Sequence, residues 1–176
     1  YKSLKIDRSK QDSYGYSNVG FITLGYVVEA VTGKSFDSYL KEAIFEPLEM
    51  NETGLYALTE IIPHVATGYV RPSGPDDHWK TNHHLNKGSS PAGGAFSSPG
   101  DLITFYRGLW NGKLLQDRSV KLMMTPHIET PFGSQYGYGI AINSLNDQTV
   151  MGHLGGYYGA RGELMWYKEK DVMVAI

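Results

Sequence analysis

The chain has 176 residues, with 16 basic and 18 acidic side chains and a net charge of −2, so it offers no basic surface for nucleic acid or an anionic membrane. It contains no cysteine, which excludes disulfides, thiol catalysis and cysteine-ligated metals. Apolar residues make up 41% and charged residues 19%, a composition typical of a packed globular chain.

The opening third of the chain predicts a surface connection followed by two helices. Residues 1–15 are polar and without period, whereas residues 19–31 carry apolar side chains at three- and four-residue spacing. Asn18 stands where an N-cap belongs and Gly33 where a C-terminal glycine belongs. Ser35 begins a second helix that stops before Pro47. The apolar stripe of the first helix is predicted to comprise Val19, Ile22, Tyr26, Val27 and Ala30.

A loop-rich region, residues 51–96, follows the predicted helices. Proline, glycine, serine and asparagine interrupt it throughout, and short strands are expected only near residues 65–70. A loop of this length in a compact domain is commonly functional. Tyr69 and Trp79 lie in it and could line a substrate cleft or pack locally.

The remaining elements predict two helices and then an antiparallel sheet. Ser98 and Pro99 form a helix start, and a shorter helix is expected over residues 118–124. Residues 168–171 join the last two predicted strands as a hairpin. Helices followed by strands indicate an α+β fold, with a helical and loop lobe over 1–131 and strands over 132–176. The predicted strands are residues 136–142, 149–153, 161–167 and 172–176.

Tyr16-Ser17-Asn18 is the first candidate for chemistry because it stands at the entry of a predicted helix. A helix start presents free N–H groups and a partial positive charge, which favour an anion. A tyrosine there could act as a base if cations lie nearby, and Asn18 could donate to a substrate carbonyl. The alternative is purely structural, with Asn18 as a cap and Tyr16 as a packing residue.

Gly152-His153-Leu154-Gly155-Gly156 is the second candidate. His153 could supply a positive charge or relay a proton, and glycines after it would let a substrate approach the backbone. The Gly156 N–H would then be available to a developing oxyanion. The alternative is a glycine-rich strand end with an incidental histidine.

In combination these segments resemble one family. Tyr-x-Asn at residues 16–18, the runs 44–54 and 91–98, and Gly-His-x-Gly-Gly at 152–156 resemble the penicillin-recognising serine hydrolases, in the branch of class C β-lactamases, D,D-peptidases and related esterases. The resemblance covers residues 16–176. It implies a β-lactamase/transpeptidase-like α+β fold, a small-molecule or peptide substrate, and no cofactor, metal or nucleic acid. It also implies an extracytoplasmic parent protein.

The resemblance also implies roles for individual residues. Tyr16 is the general base, alone or shared with the lysine of the family's Ser-x-x-Lys element. Asn18 bonds the substrate amide or that lysine. His153 replaces the cation of the Lys-Thr-Gly element and Gly155 is that element's glycine. Gly156 supplies the backbone N–H that completes the oxyanion hole.

The family's nucleophile has no counterpart in its usual place. Fifteen residues precede Tyr16, and none of their serines has lysine at the third following position. The match at Ser38 and Lys41 falls in the second predicted helix, where Ser38 should face solvent. The chain is therefore expected to be a fragment without the nucleophile, whose exposed surfaces imply a missing N-terminal segment or self-association.

Two further hypotheses concern function. The main one is a serine hydrolase acting on a β-lactam, a D-amino-acid peptide or an ester, and the alternative is a non-catalytic fragment, sensor or scaffold with the same fold. A zinc site is disfavoured because the spacing of His78, His83 and His84 with Asp76 and Asp77 fits no standard ligand pattern.

Overall fold

The fold was established from a computed structural model that describes residues 9, 12–57, 59–72, 74, 78–83 and 88–176. Most of the connection predicted over residues 1–15 lies outside these ranges. The described residues form helices and antiparallel sheets, which confirms the α+β class. No helix within these ranges has the length and apolar character that crossing a bilayer requires.

Helix α1 (Asn18–Thr32) begins and ends on local hydrogen bonds. Ser17, with an extended backbone, accepts a hydrogen bond from the Gly20 amide at 3.2 Å. The prediction of Asn18 as the N-cap is therefore wrong, because Asn18 is already the first helical residue. The prediction of Gly33 as the closing residue is confirmed: its φ is 70° and its amide donates to Glu29 O at 2.8 Å.

The apolar stripe predicted for α1 lies on one face of the helix, and four of its five members are exposed. Ile22 is half-buried and Gly25 is buried against Pro91, whose Cγ would lie 2.2 Å from an added Cβ. Apolar residues surround α1 on several sides, so their spacing did not select the covered face. The expectation of a covering segment or second chain stays a prediction. The exposed members of the predicted stripe are Val19, Tyr26, Val27 and Ala30.

Helix α2 (Phe36–Leu40) begins, as predicted, after Ser35, which accepts from the Ser38 amide at 3.3 Å. A π-helical turn over Lys41–Phe45 continues it up to Pro47. Ser38 is exposed and its hydroxyl lies 2.9 Å from that of Ser35. Ser38 is therefore an ordinary surface residue of the helix.

Helices α3 (Pro99–Trp110) and α4 (Asp117–Met124) agree with the predicted positions. Ser98 caps α3 by accepting from the Asp101 amide at 3.2 Å. Asp101 lies in the first turn and also accepts from the backbone amide of Glu52 at 2.8 Å and the hydroxyl of Thr53 at 2.7 Å. This carboxylate therefore joins the long loop to the start of α3.

The strands form two antiparallel sheets. One is the pair β1–β2 and the other runs β3-β4-β5-β6-β7-β8 in chain order, which confirms the predicted meander. The strands are β1 (Tyr69–Val70), β2 (Lys80–Thr81), β3 (Ile128–Glu129), β4 (Gln135–Tyr136), β5 (Ala141–Leu145), β6 (Gln148–Tyr157), β7 (Ala160–Tyr167) and β8 (Val172–Ala175).

Two strand predictions need correction. Residues 136–142 do not form one strand, because the Gly137 amide bonds to Ile140 O at 2.8 Å and Gly139 adopts φ 77°, so the chain turns between β4 and β5. Such a positive φ is readily adopted by glycine. Strand β6 also continues four residues beyond His153, so the glycine pair lies inside the strand rather than after it. The predicted hairpin over 168–171 is confirmed by a 3-10 turn at Lys168–Lys170.

The core lies between the sheet and the two later helices. Ile140, Ile142 and Met151 form a buried cluster against which Trp110 and Trp166 pack with their rings stacked 5.5 Å apart. Burial of large apolar side chains stabilises each by about 1.5–3 kcal/mol. The central strands, including the start of β6, are therefore fixed by packing against this cluster.

Candidate active site

His153 lies on β6 just beyond this core, and both of its ring nitrogens have partners. Nε2 is 2.9 Å from the hydroxyl of Tyr136 on β4, and Nδ1 is 2.6 Å from the carbonyl of Leu154. The carbonyl can only accept, so Nδ1 donates to it, and Nε2 shares a hydrogen with the Tyr136 hydroxyl. The imidazole is therefore fixed in one orientation.

Burial raises the pKa of Tyr136 to about 12, with further contributions from Tyr16 and Tyr14. The phenol is therefore protonated well into the alkaline range and can donate to His153 Nε2. Tyr14 supports this arrangement by packing edge-on against Tyr136, with ring centroids 5.7 Å apart.

Tyr16 packs against His153 although the two residues are 137 positions apart in sequence. Their ring centroids are 6.1 Å apart, and Tyr16 also packs on Phe21 in the first turn of α1 at 5.8 Å. Tyr16 is half-exposed, so a ligand can reach it. The two motifs singled out in the sequence thus lie side by side in the structure.

Asn18 is exposed in the first turn of α1, two positions beyond Tyr16. Its side chain makes no hydrogen bond among the described residues. The amide is therefore available to a ligand, although the structure does not bring it into contact with His153.

Gly155 and Gly156 lie on a strand segment, residues 153–157, that pairs on one side alone. β7 pairs with β6 along this whole segment, whereas β5 pairs with β6 no further than Gly152. Within the described ranges no strand covers the other edge. A Cβ added at Gly155 would find its nearest neighbour, the Gly162 carbonyl, 3.8 Å away. The backbone here is open to a ligand.

A cleft of about 840 Å³ adjoins Gly156 at the far end of this segment from His153. Tyr69 and Trp79, which sequence reasoning placed in a possible cleft, both line it. Sequence reasoning missed Tyr136 as the partner of His153, because that pairing depends on the register of β4, β5 and β6.

Among the described residues no group of three histidine or acidic side chains could hold a metal ion. His84, Asp76 and Asp77 lie outside those residues.

The helix-entry tyrosine packed on a His-x-Gly strand, in an α+β fold, is the arrangement expected from the resemblance to the penicillin-recognising serine hydrolases. The sequence model of the family described as Beta-lactamase matches residues 1–176, and the chain belongs to this family.

Relatives and solved structures agree with that assignment. A penicillin-binding protein of Bacillus subtilis (strain 168) is 28% identical over 160 residues, which are 84% of this chain and 36% of that protein. The crystal structure of a penicillin-binding protein from Bacillus halodurans superposes with a TM-score of 0.85 at 29% identity, over 92% of this chain and 50% of the other. A D-stereospecific amidohydrolase from Streptomyces sp. gives 0.81 at 27% identity, over 93% and 49%. The chain thus spans about a third of the length of these curated relatives.

Proposed function

We propose that the whole protein hydrolyses an amide or ester bond, in a β-lactam, a D-amino-acid peptide or a simple ester, through a serine-bound acyl intermediate. The observation that carries this proposal is the contact between Tyr16 and His153 beside an open strand edge. A base, an imidazole and unpaired backbone within one site are the parts that acyl transfer requires.

In the proposed reaction each group of the site has one role. The serine hydroxyl attacks the carbonyl carbon while its proton passes to the base, which is the Tyr16 oxygen as a phenolate, alone or together with the lysine of the Ser-x-x-Lys element. The base then gives this proton to the leaving nitrogen or oxygen. In the second step water attacks the acyl carbon and gives a proton to the base, which passes it to the departing serine oxygen as the acid is released. Asn18 orients the substrate amide, and the Gly156 N–H stabilises the oxyanion while Gly155 leaves room for the substrate.

His153 contributes chiefly through its position. Because Tyr136 and the Leu154 carbonyl occupy its two nitrogens, the ring can relay a proton only if one of these bonds reverses or breaks. We therefore propose that the imidazole of His153 forms the wall of the site next to Tyr16, and that the Tyr136 hydroxyl holds the imidazole in this position.

The nucleophile is assigned to a serine outside these 176 residues. No serine ahead of Tyr16 stands in a Ser-x-x-Lys pattern, and Ser38, the one match in the chain, is an exposed residue of α2. The 176-residue chain alone is accordingly expected to show no turnover. The main alternative, a non-catalytic sensor or scaffold, also predicts no turnover but extends this to the full-length protein.

Intact-protein mass spectrometry tests the proposal. The full-length protein should gain one acyl group from a fluorescent penicillin or p-nitrophenyl acetate, and peptide mapping should place it on a serine outside residues 1–176. A Ser38→Ala variant should be acylated normally and serves as the control. An adduct within the 176 residues would overturn the assignment of the nucleophile, and the absence of both adduct and turnover would favour the non-catalytic alternative.

A further inference from the structure

The segment that carries Tyr16 into α1 forms neither helix nor strand. Residues 14–17 precede the first turn of the helix, and Ser17 has an extended backbone with φ −144° and ψ 108°. Gly15 adds no packing of its own, because a Cβ there would meet nothing within 4 Å among the described residues beyond its chain neighbours. The position of the Tyr16 ring therefore depends on contacts between rings rather than on regular backbone structure.

Two tyrosines of this segment contact two rings that are hydrogen-bonded to each other. Tyr14 lies edge-on to Tyr136, with ring centroids 5.7 Å apart, and Tyr16 lies against His153 at 6.1 Å. The hydroxyl of Tyr136 is 2.9 Å from His153 Nε2, and these two rings also meet edge-on. Side chains two positions apart in an extended segment point to the same side, so the segment can place both of its rings on this pair at once.

Strand β4 makes Tyr136 a firm support for Tyr14. β4 pairs with β3 on one side and β5 on the other, and the carbonyl of Tyr136 accepts from the His127 amide at 3.0 Å. Burial raises the pKa of Tyr136, and the neighbouring phenols of Tyr16 and Tyr14 add to the effect, so both lie within electrostatic reach of its hydroxyl. Tyr14 is half-buried whereas Tyr16 is exposed. Within the pair, Tyr14 is thus the packed ring and Tyr16 the accessible one.

We propose that Tyr14 is a positioning residue: its ring, packed on Tyr136, holds the segment so that the Tyr16 oxygen stays where proton transfer requires it. The inference rests on the proposed function, because Tyr14 has this task only if Tyr16 is the base. Phe21, which packs on Tyr16 at 5.8 Å from the first turn of α1, holds the segment from the other side. The contact with Tyr136 is made through rings, so the aromatic ring of Tyr14 is required and its hydroxyl is not.

Stopped-flow acylation of the full-length protein by p-nitrophenyl acetate tests the proposal. Tyr14→Leu should lower the limiting rate at saturating ester about tenfold and leave unchanged the ester concentration that gives half of that rate, because a misplaced base slows the chemical step and not binding. Tyr14→Phe keeps the ring and should restore the normal rate. An undiminished rate in Tyr14→Leu, or an equally slow Tyr14→Phe, would overturn the proposal.

Tyr138→Leu is the matched control. Tyr138 follows Tyr136 by two positions, and its ring stacks on His127 with centroids 4.3 Å apart, so the same substitution removes a second tyrosine that packs on a neighbouring ring. This variant should acylate at the normal rate. A slowing equal to that of Tyr14→Leu would show that general loss of packing is the cause, and would contradict the proposal.

A measurement without turnover separates this inference from the proposed function. In the selectively labelled full-length protein, NMR should show cross-relaxation between the ring protons of Tyr16 and His153, which Tyr14→Leu should weaken and Tyr14→Phe should preserve. An unchanged signal in Tyr14→Leu together with normal acylation would overturn the role of Tyr14 and leave the hydrolase intact. A weakened signal in a protein that is never acylated would contradict the hydrolase while supporting Tyr14 as the residue that holds Tyr16.

Discussion

The strand segment 153–157 of β6 has two ends that differ in the way their side chains are held. At the first end, protein partners occupy both nitrogens of His153, and Tyr16 packs beside it. At the second end, aromatic rings around the cleft remain exposed, and the cationic Arg161 lies against the turn. The His153 ring is thus held by internal hydrogen bonds, whereas the aromatic rings at the other end are exposed to solvent. Both ends belong to a single strand.

The difference distinguishes groups that must be held in position for the reaction from groups that select the substrate. Groups that take part in proton transfer must be held in a fixed geometry, because small misplacements cost about 100-fold in rate. Groups that select a substrate must stay accessible until it arrives. The glycine pair lies between the two ends, where the backbone is open to the proposed substrate.

Among changes within the strand segment itself, the largest effect is expected at the junction of the two ends. Gly155→Ala should lower kcat/KM of the full-length protein about 100-fold while leaving the fold intact, because the new Cβ has its nearest atom 3.8 Å away and would instead meet the substrate. Steady-state kinetics and urea unfolding measure the two quantities.

Gly152→Ala is the matched control for that change. Its Cβ would fall 2.1 Å from Leu164 O and 2.5 Å from Met165 Sδ, so it should lower the free energy of unfolding by about 1–3 kcal/mol. If Gly155→Ala instead destabilised the protein equally, or kept full activity, the open strand edge would not be where substrate lies.

A smaller effect is expected at the His153 end. Tyr136→Phe deletes the donor to Nε2, which should lower kcat/KM by up to about tenfold and the free energy of unfolding by about 1 kcal/mol. An unchanged kcat/KM would mean that the orientation of His153 does not matter to the reaction.

The pH dependence of stability provides a separate measure of Tyr136. Burial raises its pKa from 10.0 to about 12, so between these values the unfolded chain loses a proton that the folded protein keeps. Its contribution to stability is full below pH 10 and is lost as the pH rises through 12. Burial raises the pKa of Tyr106 in the same direction, so the alkaline loss of stability in Tyr136→Phe should be shallower, not abolished. If the free energies of unfolding of the unaltered protein and of Tyr136→Phe declined in parallel up to pH 11.5, this prediction would be contradicted.

The smallest effect is expected on the opposite face of the same segment. Leu154 is 62% exposed and alternates with His153 and Gly155 along the strand, so its side chain points to the other face of the sheet. Leu154→Thr should change the free energy of unfolding by less than about 0.5 kcal/mol and leave kcat/KM unaltered. A large loss of activity would show that both faces of the segment take part.

Local signals in the sequence predicted much of the fold. Ser98 and Pro99 at a helix start, Gly33 at a helix end and the hairpin after Tyr167 each rest on neighbouring residues, and the structure confirms them. The candidate site was recognisable from two short motifs, and the structure brings Tyr16 and His153 together.

The features that escaped prediction depend on distant partners. The covered face of α1 is set by what packs on it, such as Pro91 against Gly25, and an apolar helix gives no periodic hint of that choice. The hydrogen bond between Tyr136 and His153 requires the register of β4, β5 and β6, which a glycine-punctuated turn sets. The cleft likewise needs Gly68 to meet Gly159 across 91 positions of the chain.

The effect of Tyr16→Phe on acylation tests the central claim most directly. Stopped-flow acylation of the full-length protein by nitrocefin and by p-nitrophenyl acetate should slow about 100-fold to 10,000-fold, the usual contribution of general acid–base catalysis, because phenylalanine keeps the packing on His153 but cannot accept a proton. Phe132→Ala should acylate at the normal rate. An undiminished acylation rate in Tyr16→Phe would contradict the role of Tyr16 as the base and the account built on its contact with His153.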